Sequence, residues 1–293
     1  MRTWFKGVMI ATAIATATIG VFFSLVRPIA GQTQGSAYQA PRFPGTKQPD
    51  LSGIWQTLTT ANFNIQDHTA QPGPYPALLG AWGAEPGGQG IVEGGELPYK
   101  PEALEKKKAN YKKRLAVEPF NIHTVGDPEA KCYAPGVPRA MYMPFPFQIL
   151  QMPDKVLMVF GYSNASRFIQ LEKHQEAPID LWMGWSNGHW EGDTLVVDVT
   201  GFNGLTWLDR AGNFTSDALH VVERYTPTGP NTIMYEATIE DSKVFTRPWK
   251  MSFPLYRRLE KNVQVLEFRC VPFTEEYLYA SLAKKGSFVK KGS

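Results

Sequence analysis

The segment ALHVVERY contains the side chains best suited to acid–base chemistry in this chain. On an extended strand His220 and Arg224 share one face, whereas Glu223 points to the other. If the first face lines the inside of a barrel, His220 could transfer a proton and Arg224 could stabilise a developing oxyanion. If it faces solvent, both residues only solvate the sheet. Asp209, in a Gly-rich loop, is a candidate to orient the His220 imidazole, although a loop Asp also serves as a turn former.

Five further side chains are candidates for binding a ligand: Arg139, Tyr142, Tyr162, Arg167 and Trp207. The turn-rich run PGVPRAMY is expected to present its arginine and tyrosine from a rim rather than from the centre of a strand. The next pair flanks a Ser-Asn turn near a predicted hairpin tip, and Trp207 lies in a loop that could cover a barrel mouth. Such groups suit a carboxylate or phenolate ligand, but they serve ordinary surface packing equally well.

Motifs for metals, phosphates and nucleophiles do not occur in the sequence. The scattered residues His68, His123, His189 and His220 lack the short spacings of zinc sites. There is no phosphate loop, and no Ser sits on a strand-to-helix elbow. We therefore predict neither a metal nor a cofactor.

The run GWSNGHWEGDTLVVDVTGFN, from Gly184 to Asn203, predicts one antiparallel hairpin. Trp185–Trp190 and Thr194–Val199 form its arms, and Glu191-Gly192-Asp193 supplies the turn. Further strand-like runs, separated by turn residues, occupy residues 51–56, 147–152, 156–162, 167–171, 219–225, 232–239, 249–257 and 263–270.

A sheet with this many strands must bury one of its two faces. A closed barrel or a curved sandwich does so. We therefore expect a mainly β fold, an antiparallel lipocalin-like β-barrel, with a curved β-sandwich as the alternative. The Gly/Pro-rich residues 71–98 are expected to form a long covering loop.

One short helix is predicted with Pro101 in its first turn, followed by EALEKKKANYKKRLA, with Leu104, Tyr111 and Leu115 on a common face. Its six basic residues are expected in solvent. A membrane surface or an anionic partner is the alternative role for that basic face.

The amino-terminal residues have the layout of an export segment, because Arg2 and Lys6 precede a long uncharged apolar run. We read residues 1–30 as an export signal or an uncleaved membrane anchor. Residues 31–50 are predicted as a linker, 51–280 as a single β-rich domain and 281–293 as a basic tail. The protein is thus expected in the periplasm or outside the cell, with membrane contact only through its first segment.

The cysteine count and the net charge limit the crosslinks and the kinds of partner that the sequence predicts. Cys132 and Cys270 are the only cysteines, and in an exported chain they are expected to form one disulfide; a metal or redox pair is the alternative. The chain of 293 residues carries 30 basic and 27 acidic residues, for a formal charge of +3. That charge is too small to indicate a nucleic-acid partner.

Three motifs carry a resemblance to a known family: CYAPGVPRAMYMPFPFQILQ, WEGDTLVVDVTGFNGLTWLDRAG and LHVVERY. Together they resemble a large, uncharacterised family of exported bacterial proteins, over about Asp50 to Phe273. The resemblance implies export and a shared β architecture, and it implies no particular reaction.

These observations predict an exported β-barrel protein that holds a small hydrophobic or aromatic molecule in an internal cavity. The alternative is a cofactor-independent hydratase, lyase or isomerase that uses the same cavity, with His220 as proton shuttle, Asp209 as its orienter and Arg224 stabilising an anion. A third possibility is an envelope-associated structural protein.

Overall fold

A computed structural model of the chain describes residues 38–73, 83–114, 126–268 and Cys270. The predicted export segment, the basic tail, Leu115 and His123 lie outside the described residues. From Gln39 onward the described residues belong to one compact unit. That unit includes residues 39–50, which we predict as a linker: Ala40 is buried and Arg42 forms an isolated β-bridge with Pro49.

Within the described residues, nine strands form a closed barrel. Two further short strands pair with each other outside it. The barrel strands are β1 (Gly53–Gln56), β4 (Phe147–Gln151), β5 (Lys155–Phe160), β6 (Ser166–Gln170), β7 (Trp185–Glu191), β8 (Thr194–Thr200), β9 (Leu219–Gly229), β10 (Thr232–Asp241) and β11 (Trp249–Arg257). The remaining elements are β2 (Gln71–Pro72), β3 (Ala84–Glu85), helix α1 (Pro101–Lys112), a 3-10 helix (Pro128–Lys131) and the short helix α2 (Arg139–Tyr142).

The barrel is closed because β1 pairs with both β4 and β11, so the predicted barrel is confirmed. Neighbouring strands are antiparallel with one exception. β6 runs parallel to β7, with Ile169 opposite Ser186, and at this pair the prediction of antiparallel strands is wrong. The connection of residues 171–184 is long enough for the crossover that parallel neighbours need.

The predicted hairpin at residues 184–203 is confirmed as β7 and β8. Glu191 lies opposite Thr194, which leaves a two-residue loop of Gly192 and Asp193. Gly192 has a φ of +60° at the first loop position, as a type II′ turn requires.

The predicted last strand, residues 263–270, is wrong: residues 263–268 form no strand. β11 and β4 already occupy both edges of β1, so the barrel closes without this segment. The Phe268 ring packs on the rings of Phe145 and Tyr162 instead. The predicted disulfide between Cys132 and Cys270 then holds the segment to the 3-10 helix.

Helix α1 begins at Pro101 as predicted, but its buried face differs from the prediction. Ala103 and Asn110 are buried, whereas Leu104 is exposed. The Asn110 side chain donates a hydrogen bond to the Gly212 carbonyl at 3.2 Å, so a polar contact, and not an apolar stripe, joins this helix to the loop after β8.

The barrel interior contains a buried ion pair. On β9 the side chains that point inward are Leu219, Val221, Glu223 and Tyr225, all buried. Arg167 of β6 donates to both carboxylate oxygens of Glu223, from Nη1 at 2.7 Å and from Nη2 at 3.0 Å. Both side chains are almost fully buried, so each charge depends on the other for compensation.

Two tyrosines complete this interior cluster. The hydroxyls of Tyr225 and Tyr235 donate to Glu223 Oε1 at 2.8 and 2.9 Å. The Tyr225 oxygen also accepts a hydrogen bond from Arg167 Nη2 at 2.7 Å. Burial, the largest cause, raises the pKa of both phenols well above the ordinary value. They therefore act as neutral donors.

Helix α2 packs against this cluster. The Tyr225 hydroxyl lies 3.5 Å from Met141 Sδ, and the Tyr142 ring meets the Phe253 ring of β11 edge-on. All four residues of α2 are buried. The helix is therefore part of the core, and it fixes Arg139 and Tyr142 inside the protein. In the described residues no helix is both long and apolar enough to cross a membrane.

Glu223→Gln is expected to lower the free energy of unfolding by about 3 kcal/mol or more, because Arg167 keeps a buried charge without a counter-charge. Glu236→Gln, on the half-exposed outer face of β10, is the matched control and should change it by about 0.5 kcal/mol or less. Denaturation by guanidinium chloride measures both. Equal, small effects would contradict the inward placement of Glu223.

Cys270→Ser is expected to lower the free energy of unfolding by about 2–4 kcal/mol, because the disulfide closes a loop with a sequence separation of 138. Wild-type protein treated with a reductant should match the variant. Identical denaturation midpoints for oxidised wild type and the variant would show that the crosslink contributes nothing.

Candidate ligand-binding cleft

An open cleft of about 580 Å³ lies outside the barrel, between helix α1 and the segments around β2 and β3. Phe63 and Tyr111 supply aromatic walls, and most of the remaining lining is polar. The lining residues are separated by up to about half the chain, so the cleft is assembled by tertiary contacts.

Backbone contacts join two irregular segments of the cleft wall, residues 60–68 and residues 88–90. His68 and Gly88 form an isolated antiparallel bridge through two hydrogen bonds, of 3.1 and 2.9 Å. A Cβ at Gly88 would lie 1.8 Å from Thr60 Oγ1, and one at Gly90 would lie 2.7 Å from the Ile65 carbonyl oxygen. Only glycine permits this close approach, which explains the Gly-rich run at this point.

His68 has one partnered and one unpartnered ring nitrogen. Nδ1 lies 2.9 Å from the Gln66 carbonyl oxygen, which can only accept, so Nδ1 carries the proton. Nε2 is then an acceptor; it is buried and has no hydrogen-bond partner. A buried acceptor without a donor costs about 1–3 kcal/mol, which a donor reaching this nitrogen would recover.

Three more polar groups of the lining have hydrogen-bonding capacity left. Asp67 accepts a hydrogen bond from the Gly90 amide at 2.7 Å through Oδ1 only. Lys107 is half-buried on α1, and Gln89 is exposed beside β3. Within the part of the chain that the structure describes, the Lys107 ammonium and the Gln89 amide have no hydrogen-bond partner. The cleft thus offers both donors and acceptors.

The wall around Glu85 is already satisfied. Gln71 donates to one carboxylate oxygen of Glu85, and Arg114 donates to the other at 3.3 Å. The Arg114 guanidinium also lies 4.0 Å from the centre of the Tyr111 ring, and Gln71 reaches the Tyr111 hydroxyl at 3.3 Å. These contacts fix the position of the aromatic wall.

Asp209 anchors the segment behind the cleft. It accepts hydrogen bonds from the Ile65 amide at 2.9 Å, the Ala211 amide at 2.9 Å and the Asn213 side chain at 2.6 Å. Burial, the largest cause, raises the pKa of Asp209 to about 6, while hydrogen bonds from Asn213 and Ile65 act in the opposite direction. The predicted contact between Asp209 and His220 is therefore wrong, because every Asp209 oxygen is engaged here.

His220 and Arg224 lie on the outer face of the barrel, which is the solvent-facing alternative of the prediction. His220 Nε2 is 2.8 Å from Asp198 Oδ2, and its Nδ1 is 3.6 Å from Glu240 Oε2. Arg224 pairs with Glu191 at 2.9 Å. They point outward because the apolar residues of β9 occupy the alternate, inward positions.

Arg139 is buried in an ionic network and not on a rim as predicted. It donates to Asp127 at 2.7 and 2.9 Å and to Glu129 at 2.8 Å. Arg210 donates two more hydrogen bonds to Glu129, at 2.7 and 2.8 Å. Burial alone would raise the pKa of Glu129, but Arg210 and Arg139 outweigh it and lower the pKa to about 2. The two arginines and the two carboxylates of this network therefore neutralise one another.

The other four predicted ligand-binding residues are also buried. The Tyr142 hydroxyl donates to the Leu208 carbonyl at 2.7 Å, and the Tyr162 hydroxyl donates to the Glu129 carbonyl at 2.5 Å. Arg167 belongs to the interior ion pair, and Trp207 is part of the hydrophobic core. The structure therefore does not bring these candidates together at an open surface. Their rings and guanidinium groups are buried, and all of their polar atoms that are described above have partners except Arg167 Nε.

Comparison with known proteins does not assign this chain to a family. No protein-family model matches this chain, and no curated protein is significantly similar to it in sequence. Among the described residues, no group of three or more His, Cys, Asp and Glu side chains is placed to hold a metal ion. The resemblance to exported bacterial proteins and the prediction of no metal both stay predictions.

The sequence reasoning missed the cleft residues Asp67, His68, Gln89, Lys107 and Tyr111. The spacing of His68 excludes only a zinc site, and the Gly/Pro content of residues 71–98 indicates only a covering loop. One signal was available: a Gly-Gly-x-Gly run at residues 87–90 requires another chain segment close to its backbone. That segment is the one that carries His68.

Wild-type protein is expected to become more stable as the pH falls from about 7.5 to about 5, relative to Asp209→Asn, by roughly 1–3 kcal/mol. The folded-state pKa of about 6 lies above the ordinary value of 3.8, so the folded state binds this proton more tightly and gains stability on protonation. Denaturant unfolding across that pH range measures both slopes. Parallel slopes for the two proteins would contradict the burial of a charge at Asp209.

Proposed function

We propose that this protein binds a small polar molecule in the cleft between helix α1 and the His68–Gly88 bridge. The observation that carries the proposal is a cleft of about 580 Å³ lined by Asp67 Oδ2, the Lys107 ammonium and the Gln89 amide, which have no hydrogen-bond partner among the described residues. Polar groups that converge on a concave surface and lack partners in the protein are the usual anchors of a small ligand.

The sequence suggests the barrel interior as the place for a hydrophobic or aromatic ligand. Hydrogen bonding inside the barrel favours the cleft instead. Inside the barrel, Arg167, Glu223 and Tyr225 hydrogen-bond to one another. A ligand there would have to displace bonds between buried charges, at a cost of several kcal/mol. A ligand that bonds to Asp67 Oδ2, Lys107 and Gln89 displaces no hydrogen bond between described residues.

Export to the periplasm or the medium is part of the proposal. The charged start and apolar run of the amino-terminal residues support it. The disulfide supports it too, because such bonds persist in oxidising compartments.

Filling the cleft should abolish binding. Thr69 is exposed and lines the cleft, so Thr69→Trp places a large ring in it, whereas Thr228→Trp makes the same change at an exposed position on β9. A library of sugars, organic acids, amino acids, nucleosides and phenols is screened by thermal unfolding. At least one compound should raise the Tm of wild type and Thr228→Trp by about 3 °C or more at saturation, and leave Thr69→Trp unchanged.

Two results would contradict the proposal. One is a ligand that stabilises Thr69→Trp as strongly as wild type, which would place its site elsewhere. The other is a library in which no compound separates Thr69→Trp from its control.

A further inference from the structure

We infer that the ligand of the cleft is a neutral saccharide, a molecule with several vicinal hydroxyl groups on a ring that has an apolar face. This inference rests on the proposed function and names the chemical class of its ligand. It follows from three properties of the lining: the kinds of hydrogen-bonding groups, their net charge and the aromatic walls.

The free hydrogen-bonding groups include donors and acceptors side by side. Lys107 can only donate, Asp67 Oδ2 can only accept, and the Gln89 amide does both. A hydroxyl group donates one hydrogen bond and accepts others, so a ring with adjacent hydroxyls can satisfy all three groups.

The charges of the lining favour a neutral ligand. Asp67 and Lys107 have opposite signs, and Glu85 is already paired with Arg114 at 3.3 Å. The cleft therefore presents no excess of one sign that would attract an anion or a cation. A purely apolar ligand would bury these groups unpaired, at a cost of about 1–3 kcal/mol for each.

Phe63 and Tyr111 provide the apolar counterpart. Both rings line the cleft, and each has an arginine over its plane: Arg114 lies 4.0 Å from the centre of the Tyr111 ring, and Arg210 lies 5.2 Å from that of Phe63. The guanidinium groups hold the rings in place. The electron-rich face of an aromatic ring attracts the C–H groups of a sugar, which carry a partial positive charge.

Isothermal titration of the full protein with maltose, cellobiose, lactose and trehalose tests the inference, with citrate, glucose 6-phosphate and phenol as contrasting probes. At least one disaccharide should bind. Its Kd should change less than about twofold between about 20 mM and about 300 mM NaCl, because a neutral ligand is not screened by salt.

A matched pair of variants locates the hydrogen bonds. Gln89→Leu removes the free amide of the cleft, and it should weaken disaccharide binding about five- to tenfold. Gln264→Leu, at an exposed position outside the cleft lining, should leave the Kd unchanged. An equal loss in both variants, or no loss in Gln89→Leu, would overturn the inference.

The probes separate failure of this inference from failure of the proposed function. Binding of citrate, glucose 6-phosphate or phenol that Thr69→Trp blocks, with no disaccharide bound, overturns the saccharide assignment and leaves the cleft as the binding site. Binding that Thr69→Trp does not block overturns both. Binding of none of these probes overturns the saccharide assignment, and the wider library screen then decides on the cleft.

Discussion

Arg167 and Glu223 lie side by side within the barrel, and each charge is tolerable there because the other is present. Their two hydrogen bonds, of 2.7 and 3.0 Å, neutralise the pair where solvent does not reach. The hydroxyls of Tyr225 and Tyr235 satisfy the remaining carboxylate capacity. The Glu223 carboxylate, the two phenols and both terminal guanidinium nitrogens of Arg167 are thus bonded to one another, although Arg167 Nε is buried without a hydrogen-bond partner among the described residues. The free polar groups that a ligand can reach from solvent lie outside the barrel, around the cleft. A ligand is therefore expected at the open cleft and not within the closed ion-pair cluster.

Strand alternation and turn chemistry are local, and for that reason the sequence predicts the strands well. The hairpin of β7 and β8, the run of β11 from Trp249 to Arg257 and closure into a barrel all agree with expectation. Alternation also divides β9 into two faces, one with His220 and Arg224, the other with three apolar residues and Glu223. The apolar majority decides which face is buried. The reactive side chains His220 and Arg224 therefore lie on the outer face.

The cleft could not be predicted in the same way, because its residues come from irregular segments. Phe63, His68 and Gln89 follow no helical or strand period, and Lys107 and Tyr111 lie on a helix whose buried face is set by Asn110 and not by an apolar stripe. Likewise, Arg139 has the residue type of a rim anchor, and only the fold reveals that Asp127 and Glu129 surround it. Long-range pairing of buried charges leaves little trace in local sequence.

The location of the ligand relative to the barrel wall tests the central claim most directly. Amide chemical shifts of isotope-labelled protein are measured by NMR before and after addition of a mixture of neutral disaccharides, citrate and phenol. The account predicts shifts confined to residues 63–71, 85–89 and 107–111 and to Ala211, with the amides of Glu223, Tyr225 and Tyr235 unchanged. Shifts centred on those three interior residues, with the cleft segments unaffected, would contradict it.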